Sequence, residues 1–96
     1  MRPSLALQTH REAIREIALR HRVLSVRVFG SVVHGDDTEE SDLDLLVDPT
    51  SEATPMDIGA ICCELKKLLG MPVDGLTSRA LPDSFRDSVL KEAVPV

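Results

Sequence analysis

The sequence predicts a small α+β domain in which a mixed sheet of three short strands is flanked by about four helices. Apolar and polar residues alternate in Leu24–Phe29 and Ser41–Asp48, as in half-buried strands. Helical spacing of apolar residues over Ile58–Leu69 is followed by a short apolar segment, Met71–Leu76. A strand, helix and strand in succession predict a parallel crossover, so Met71–Leu76 should pair alongside Ser41–Asp48.

The helices have recognisable boundaries in the sequence. Thr54 is a suitable N-cap for a helix that begins at Pro55, and Gly70 is a suitable residue to end it. A short loop or helical turn is expected from Ser31 onward. A helix from Leu7 to about His21 carries an apolar stripe, and a final helix from about Asp83 to Ala93 is expected to bury three side chains, Phe85, Val89 and Leu90.

Length and composition restrict the classes of function. Ninety-six residues, 43% of them apolar, predict a single domain, residues 1–96, with no separate substrate-binding domain. A net charge of −5 without a basic stripe argues against stable nucleic-acid binding. No apolar run is long enough to span a bilayer and no signal peptide is evident, which predicts a cytoplasmic protein. Adjacent Cys62 and Cys63 suit neither a disulfide nor a zinc site, so Cys62 is expected to be a core residue with Cys63 flanking it.

The Asp-x-Asp pair formed by Asp42 and Asp44 is the first indication of chemistry. Alternate residues of a strand point to the same face, so these carboxylates should share a face, about 7 Å apart along the backbone. The opposite face of the strand carries Leu43, Leu45 and Val47. These apolar side chains can pack inward and hold the strand rigid. Mg²⁺ binds to few carboxylates and completes its octahedron with water and substrate phosphates. The pair is therefore a candidate magnesium site.

The Gly-Ser turn at Gly30 and Ser31 is the second indication. It follows the strand Leu24–Phe29, and glycine allows a phosphate to approach the backbone closely. The Ser31 hydroxyl and the backbone N–H groups that follow can donate to phosphate oxygens. Each feature alone is common, but a Gly-Ser turn placed ten residues before an Asp-x-Asp pair predicts metal-assisted transfer of a nucleotidyl group.

At these residues the chain resembles the minimal nucleotidyltransferases of the DNA polymerase β superfamily, which combine Gly-Ser, about ten residues, Asp-x-Asp and a later third acid. The resemblance extends from about Val23 to the C-terminal segment and implies the nucleotidyltransferase fold. It implies that Asp42, Asp44 and a third acid, Asp74, ligate two Mg²⁺ ions and carry catalysis. It also implies that Gly30 and Ser31 bind the phosphates of ATP, the substrate.

The same resemblance suggests a biological setting. Such short domains look like antitoxins encoded beside HEPN-type RNase toxins, in type VII-like toxin–antitoxin pairs. They silence the toxin by transferring AMP to a side-chain hydroxyl, typically that of tyrosine. Two alternatives remain open from the sequence: a catalytically weak antitoxin that neutralises its partner by binding, and a small-molecule nucleotidyltransferase completed by a separate helical subunit.

The chain departs from the family pattern at two places. Family members commonly carry basic residues after Gly-Ser, where this chain has Val32, Val33 and His34, which predicts weaker nucleotide binding or turnover. An apolar residue usually follows the third acid, where this chain has Gly75, a residue that weakens strands.

Two further interpretations concern the loop before the acidic pair. Ser41 either begins the strand or orients Asp42. The acidic loop residues are expected to be simply solvated: Asp36, Asp37, Glu39 and Glu40.

Overall fold

The computed structural model describes residues 2–96 and confirms an α+β architecture. The elements in chain order are α1 (Pro3–Leu19), β1 (Val23–Phe29), α2 (Ser31–His34), β2 (Leu43–Pro49), α3 (Pro55–Leu69), β3 (Val73–Leu76), a 3₁₀ turn (Ser78–Ala80), α4 (Asp83–Glu92) and β4 (Val94–Pro95).

The sheet has the strand order β3-β2-β1-β4. β2 runs antiparallel to β1 and parallel to β3, as the strand–helix–strand pattern predicts. The expectation of three strands is wrong by one, because β4 adds antiparallel to β1 through the pairing of Val94 with Val28. A strand of two residues that includes Pro95 has no alternation to detect, so only its distant partner reveals it.

The two faces of the sheet are covered unequally. Leu43, Leu45 and Val47 are completely or almost completely buried in the main core, where α1 and α3 pack on one face. On the other face, a smaller cluster joins Leu46 of β2 to two residues of the C-terminal segment, Leu81 and Val89. Asp44, two residues before Leu46 in β2, shares this second face of the sheet.

α3 begins and ends where the sequence predicts. The Thr54 N–H donates to the Asp57 carboxylate at 2.9 Å, which satisfies a group at the start of the helix, and Gly70 ends it in the left-handed conformation. Cys62 is half-buried against the core and Cys63 is exposed, and both are free thiols, in agreement with the prediction.

Two expectations about the other helices are wrong. α1 begins at Pro3 rather than Leu7, because a side chain from a distant loop binds its first turn, as described below. Phe85 is 45% exposed rather than buried, although Val89, four residues later in α4, is buried as predicted. Leu90 packs against the smaller cluster of Leu46, Leu81 and Val89, but Phe85 does not.

Within residues 2–96, no helix combines the length and the apolar character that crossing a membrane requires.

Candidate functional site

Two neighbouring strands bring two of the predicted acids together. Asp44 of β2 is the register partner of Asp74 of β3, so their Cα atoms face one another across a parallel pair about 4.8 Å apart. Asp42 lies just before β2 and is exposed, as is Asp74, whereas Asp44 is half-buried. The predicted acids therefore lie near one another at one end of β2.

The surroundings of Asp44 disfavour its negative charge. Burial, followed by the charges of Asp74 and then Asp42, raises the pKa of the Asp44 carboxyl above its ordinary value. A divalent cation between these carboxylates would offset that repulsion, and oxygen donors of this type are those that Mg²⁺ prefers. Within residues 2–96, no three His, Cys, Asp or Glu side chains lie close enough together to hold a metal ion by themselves. Asp42, Asp44 and Asp74 therefore lie near one another without forming a cluster of three metal ligands.

Gly30 connects the Gly-Ser turn to the acidic pair. It adopts φ 80° and ψ −146°, a conformation that residues with a side chain rarely adopt. A Cβ atom at this position would overlap with Oδ2 of Asp44. Glycine is therefore required twice, for its backbone conformation and for the direct approach of the Asp44 carboxylate to the turn.

Ser31 begins the helical turn α2, as predicted for this segment. The side chain of Ser31 is half-buried, and N–H groups at the start of a helical turn lack intrahelical acceptors. Where the family pattern has basic residues after Gly-Ser, the residue of this turn that can carry a positive charge is His34. Nε2 of His34 lies 2.8 Å from Oε2 of Glu92, so the imidazole is paired with a carboxylate of α4.

The loop between α2 and β2 is more ordered by side chains than the sequence indicates. The Ser41 hydroxyl oxygen accepts the Thr38 N–H at 2.9 Å, which stabilises the loop itself. The expectation that Asp37 is solvated is wrong, since this residue is only 5% exposed. The carboxylate of Asp37 accepts the backbone N–H of Ser4 at 2.9 Å, and this bond lowers the pKa of Asp37. The loop therefore caps α1.

Gly75 follows Asp74 for a packing reason that the sequence does not disclose. A Cβ atom at Gly75 would lie 2.6 Å from Sγ of Cys62, so β3 approaches α3 too closely for a larger residue. Burial raises the pKa of the Cys62 thiol, while a hydrogen bond from the Gly75 backbone opposes the rise. This contact holds α3 against the strand that carries Asp74.

A groove of about 510 Å³ opens beside Asp74, between β3 and the first half of α3. Sequence reasoning missed it, because its lining comes from separate segments of the chain. The lining includes Pro55, Ile58, Gly59, Gly75, Leu76 and Ala80. Gly59, in the interior of an otherwise regular helix, is the one signal in the sequence that could have indicated it.

The geometry unites a Gly-Ser turn, an acidic pair and a third acid on neighbouring strands. The sequence profile of the family described as "Polymerase beta, Nucleotidyltransferase" matches residues 12–96. The chain belongs to this nucleotidyltransferase family. The family implies a nucleotide substrate and, in general, a divalent metal, in agreement with the carboxylate donors of the site.

Relatives of this nucleotidyltransferase include proteins named for adenylyl transfer. The protein adenylyltransferase MntA of Thermococcus cleftensis is 38% identical over 92 residues, which cover 94% of this chain and 88% of the relative.

Solved structures support the fold of the nucleotidyltransferase. A protein provisionally assigned as a minimal nucleotidyltransferase superposes with a TM-score of 0.86 at 41% identity, covering 97% of this chain and 95% of that one. A toxin–antitoxin crystal structure with AMP-PNP gives a TM-score of 0.70 at 17% identity, covering 83% of this chain and 66% of the other. The second likeness concerns the fold alone.

Proposed function

We propose that this nucleotidyltransferase transfers AMP from ATP to a hydroxyl group of a partner protein, and that it acts as an antitoxin. The predicted partner is a cognate HEPN-type RNase toxin and the predicted acceptor is a tyrosine. The observation that carries the proposal is the direct approach of Gly30 to Asp44, since it joins the phosphate-binding turn to the acids.

In this proposal Asp42, Asp44 and Asp74 would hold Mg²⁺, with two ions expected. When bound, Mg²⁺ supplies positive charge that offsets the negative charge of the phosphates. The Gly30 and Ser31 backbone and the Ser31 hydroxyl bind and orient the triphosphate. Their contribution is one of position, which accelerates a displacement reaction strongly when the reacting atoms are aligned.

The proposed reaction is a single displacement at the α-phosphorus of ATP. The acceptor oxygen forms a bond to that phosphorus while the bond to the bridging oxygen of pyrophosphate breaks. Pyrophosphate leaves with the electron pair, and the acceptor proton passes to the Asp74 carboxylate and from there to solvent. The exposed position of Asp74 suits a group that must exchange protons with water.

The relatives support the proposed chemistry and partner. The Thermococcus cleftensis relative is named a protein adenylyltransferase, and the toxin–antitoxin structure of similar fold is described with AMP-PNP. A reaction that consumes ATP agrees with the predicted cytoplasmic location. These likenesses support AMP transfer to a toxin for this chain, which the following experiment tests.

The test is co-expression of this chain with the protein encoded next to it, followed by intact-mass measurement of the partner. We expect a gain of one or more AMP units with the wild-type chain and none with the double substitution Asp42→Asn, Asp44→Asn. An unmodified partner that still co-purifies with the wild-type chain would contradict AMP transfer.

That contrary outcome would support the alternative, an antitoxin that acts by binding. One observation favours the alternative: the turn lacks the family's basic residues, and the imidazole of His34 is paired with Glu92. The double substitution separates the two functions, because protection by occlusion survives it and protection by AMP transfer does not.

A further inference from the structure

Asp42 lies outside the sheet, so its position depends on the loop that precedes it. β2 begins at Leu43, whose N–H donates to the carbonyl oxygen of Pro72 at 3.0 Å and fixes the chain on one side of Asp42. Asp44, two residues later, is held by pairing with a strand on each side. The loop on the other side of Asp42 has no such pairing, so the contacts that hold this loop decide where the Asp42 carboxylate lies.

The loop before Asp42 ends in a turn that is closed on itself. The Thr38 N–H donates to the Ser41 hydroxyl oxygen at 2.9 Å, and the Ser41 N–H donates to the Thr38 carbonyl oxygen at 3.1 Å. These bonds fix the shape of the turn but not its place on the molecule, because both partners belong to the turn. The residue that attaches the turn to the rest of the fold is Asp37, directly before it.

Asp37 joins the turn to the main core. Its buried carboxylate accepts the N–H of Ser4 in the first turn of α1 at 2.9 Å. This part of α1 is itself firmly packed, since Pro3, Ala6 and Leu7 are buried and the last two belong to the main core. The bond therefore ties the loop before the acids to a rigid support 33 residues away in sequence.

The stability of α1 alone does not require an acceptor from so far away. Ser4 is the second residue of α1, and the N–H at this position is one that the side chain of an N-cap residue accepts. The N-cap here is Arg2, which has the extended backbone of a capping residue, φ −79° and ψ 153°, but makes no side-chain capping bond. A serine at position 2 could satisfy the same N–H without the cost of burying a carboxylate. The effect that only the remote acceptor has is to fix the loop.

We propose that Asp37 is a positioning residue: by binding the N–H of Ser4 it holds the Thr38–Ser41 turn, and through that turn it holds the carboxylate of Asp42 beside Asp44. This inference rests on the proposed function, in which Asp42 and Asp44 act together on a divalent cation. Substitution of a group that orients a metal ligand typically weakens metal binding by roughly 10–100-fold.

The first test separates positioning from helix capping. Asp37→Ala removes both, whereas Asp37→Ala combined with Arg2→Ser restores a cap for α1 but not the attachment of the loop. In this double variant, ¹⁵N relaxation should show the order parameters of the Ser41 and Asp42 amides falling from about 0.85 to below about 0.6, the values of rigid and flexible backbone. The melting temperature should be higher than that of Asp37→Ala. The control Asp36→Ala, which removes an exposed carboxylate one residue earlier, should leave both order parameters unchanged.

The second test measures the affinity of each chain for the Mn²⁺ complex of the ATP analogue AMP-CPP by electron paramagnetic resonance. The double variant should bind the complex roughly tenfold more weakly than the wild type, and Asp36→Ala should bind it equally well. Asp37→Asn keeps an oxygen acceptor for Ser4 and should recover most of the affinity. If adding Arg2→Ser to Asp37→Ala restores both the wild-type affinity and the rigid order parameters, Asp37 is a helix cap only and the inference is overturned.

Failure of the proposed function gives a different result. If the double variant loses affinity for the complex but the wild-type chain transfers no AMP to the co-expressed partner, the positioning role stands and the proposed function fails. If the wild type and the double variant transfer AMP at equal rates, the positioning role fails and the proposed function stands. A wild-type chain that does not bind the complex contradicts both.

Discussion

Asp44 is the residue at which the stability of the fold conflicts with the proposed chemistry. Its charge is disfavoured by burial and by Asp74 and Asp42, so the pKa of its carboxyl is raised. An acid with a raised pKa binds more protons when folded than when unfolded. The free energy of unfolding therefore falls as the pH rises above the ordinary value of 3.8, and it stays reduced at neutral pH.

The first prediction follows from that conflict. Asp44→Asn should raise the melting temperature at pH 7, because it removes a disfavoured charge, while reducing AMP transfer by about 100-fold or more. The gain in melting temperature should shrink as the pH is lowered toward 3.8, where the wild-type carboxyl becomes protonated. Thermal unfolding of both chains between pH 3.5 and about 7 measures this, with Asp36→Asn in the exposed loop as the control. A destabilised Asp44→Asn chain would contradict the repulsion.

Asp37 has the opposite pH dependence. The N–H of Ser4 holds the pKa of Asp37 below its ordinary value, so the ionised carboxylate stabilises the folded chain above pH 3.8. This stabilisation is lost as the pH falls through the lowered pKa. Asp37→Asn keeps an oxygen acceptor but loses the charge, and should cost about 1 kcal/mol at neutral pH, a typical value for a helix cap.

Urea unfolding of the wild type and Asp37→Asn at pH 7 and at pH 3 tests the prediction. The difference between the two chains should be largest at pH 7 and smaller at pH 3. Asp36→Asn again provides the control, because the carboxylate of Asp36 adjoins Asp37 in the sequence but is exposed. An equal difference at both pH values would mean that the charge of Asp37 does not stabilise α1.

At the scale of elements, the contact between α3 and β3 determines where Asp74 lies. Gly75→Ala should destabilise the chain by about 1–3 kcal/mol, the usual cost of overpacking, because its Cβ would lie 2.6 Å from Sγ of Cys62. Removing the sulfur with Cys62→Ala in the same chain should recover part of that loss. A double-mutant cycle by urea unfolding measures the coupling, and strictly additive effects would exclude the contact as the cause.

The elements also show what can be predicted from the sequence. Both ends of α3 are predicted correctly because Thr54 and Gly70 act on residues near them in sequence. β4 and the first turn of α1 are not, because they depend on partners far along the chain. The Ser4 N–H, for example, finds its acceptor 33 residues away in Asp37.

In the candidate site, too, features set by nearby residues could be predicted from the sequence and features set by distant residues could not. The spacing of Asp42 and Asp44 is visible in the sequence, and the parallel crossover places Asp74 beside Asp44 as predicted. The contact of Gly30 with Asp44 and the groove beside Gly59 depend on how α3 and the strands pack, so no local pattern discloses them. The catalytic roles of these residues stay predictions.

At the scale of the whole molecule, a chain of net charge −5 is proposed to bind a still more negative nucleotide. That binding requires the metal, since the acids and the triphosphate repel each other without it. A ligand that binds only the folded chain stabilises it by about 2.7 kcal/mol at 100 times its dissociation constant. Saturating AMP-CPP with Mg²⁺ should therefore raise the melting temperature by roughly 10–20 °C, and AMP-CPP with EDTA should not.

The double substitution Asp42→Asn, Asp44→Asn should remove this stabilisation, because it removes the carboxylates that are proposed to hold the metal. Mg²⁺ alone, without nucleotide, separates binding of the ion from binding of the complex. Stabilisation by AMP-CPP that persists in EDTA, or in the double variant, would place the nucleotide away from the acids. The end of β2 at Asp44 would then not be the site, whatever the partner protein.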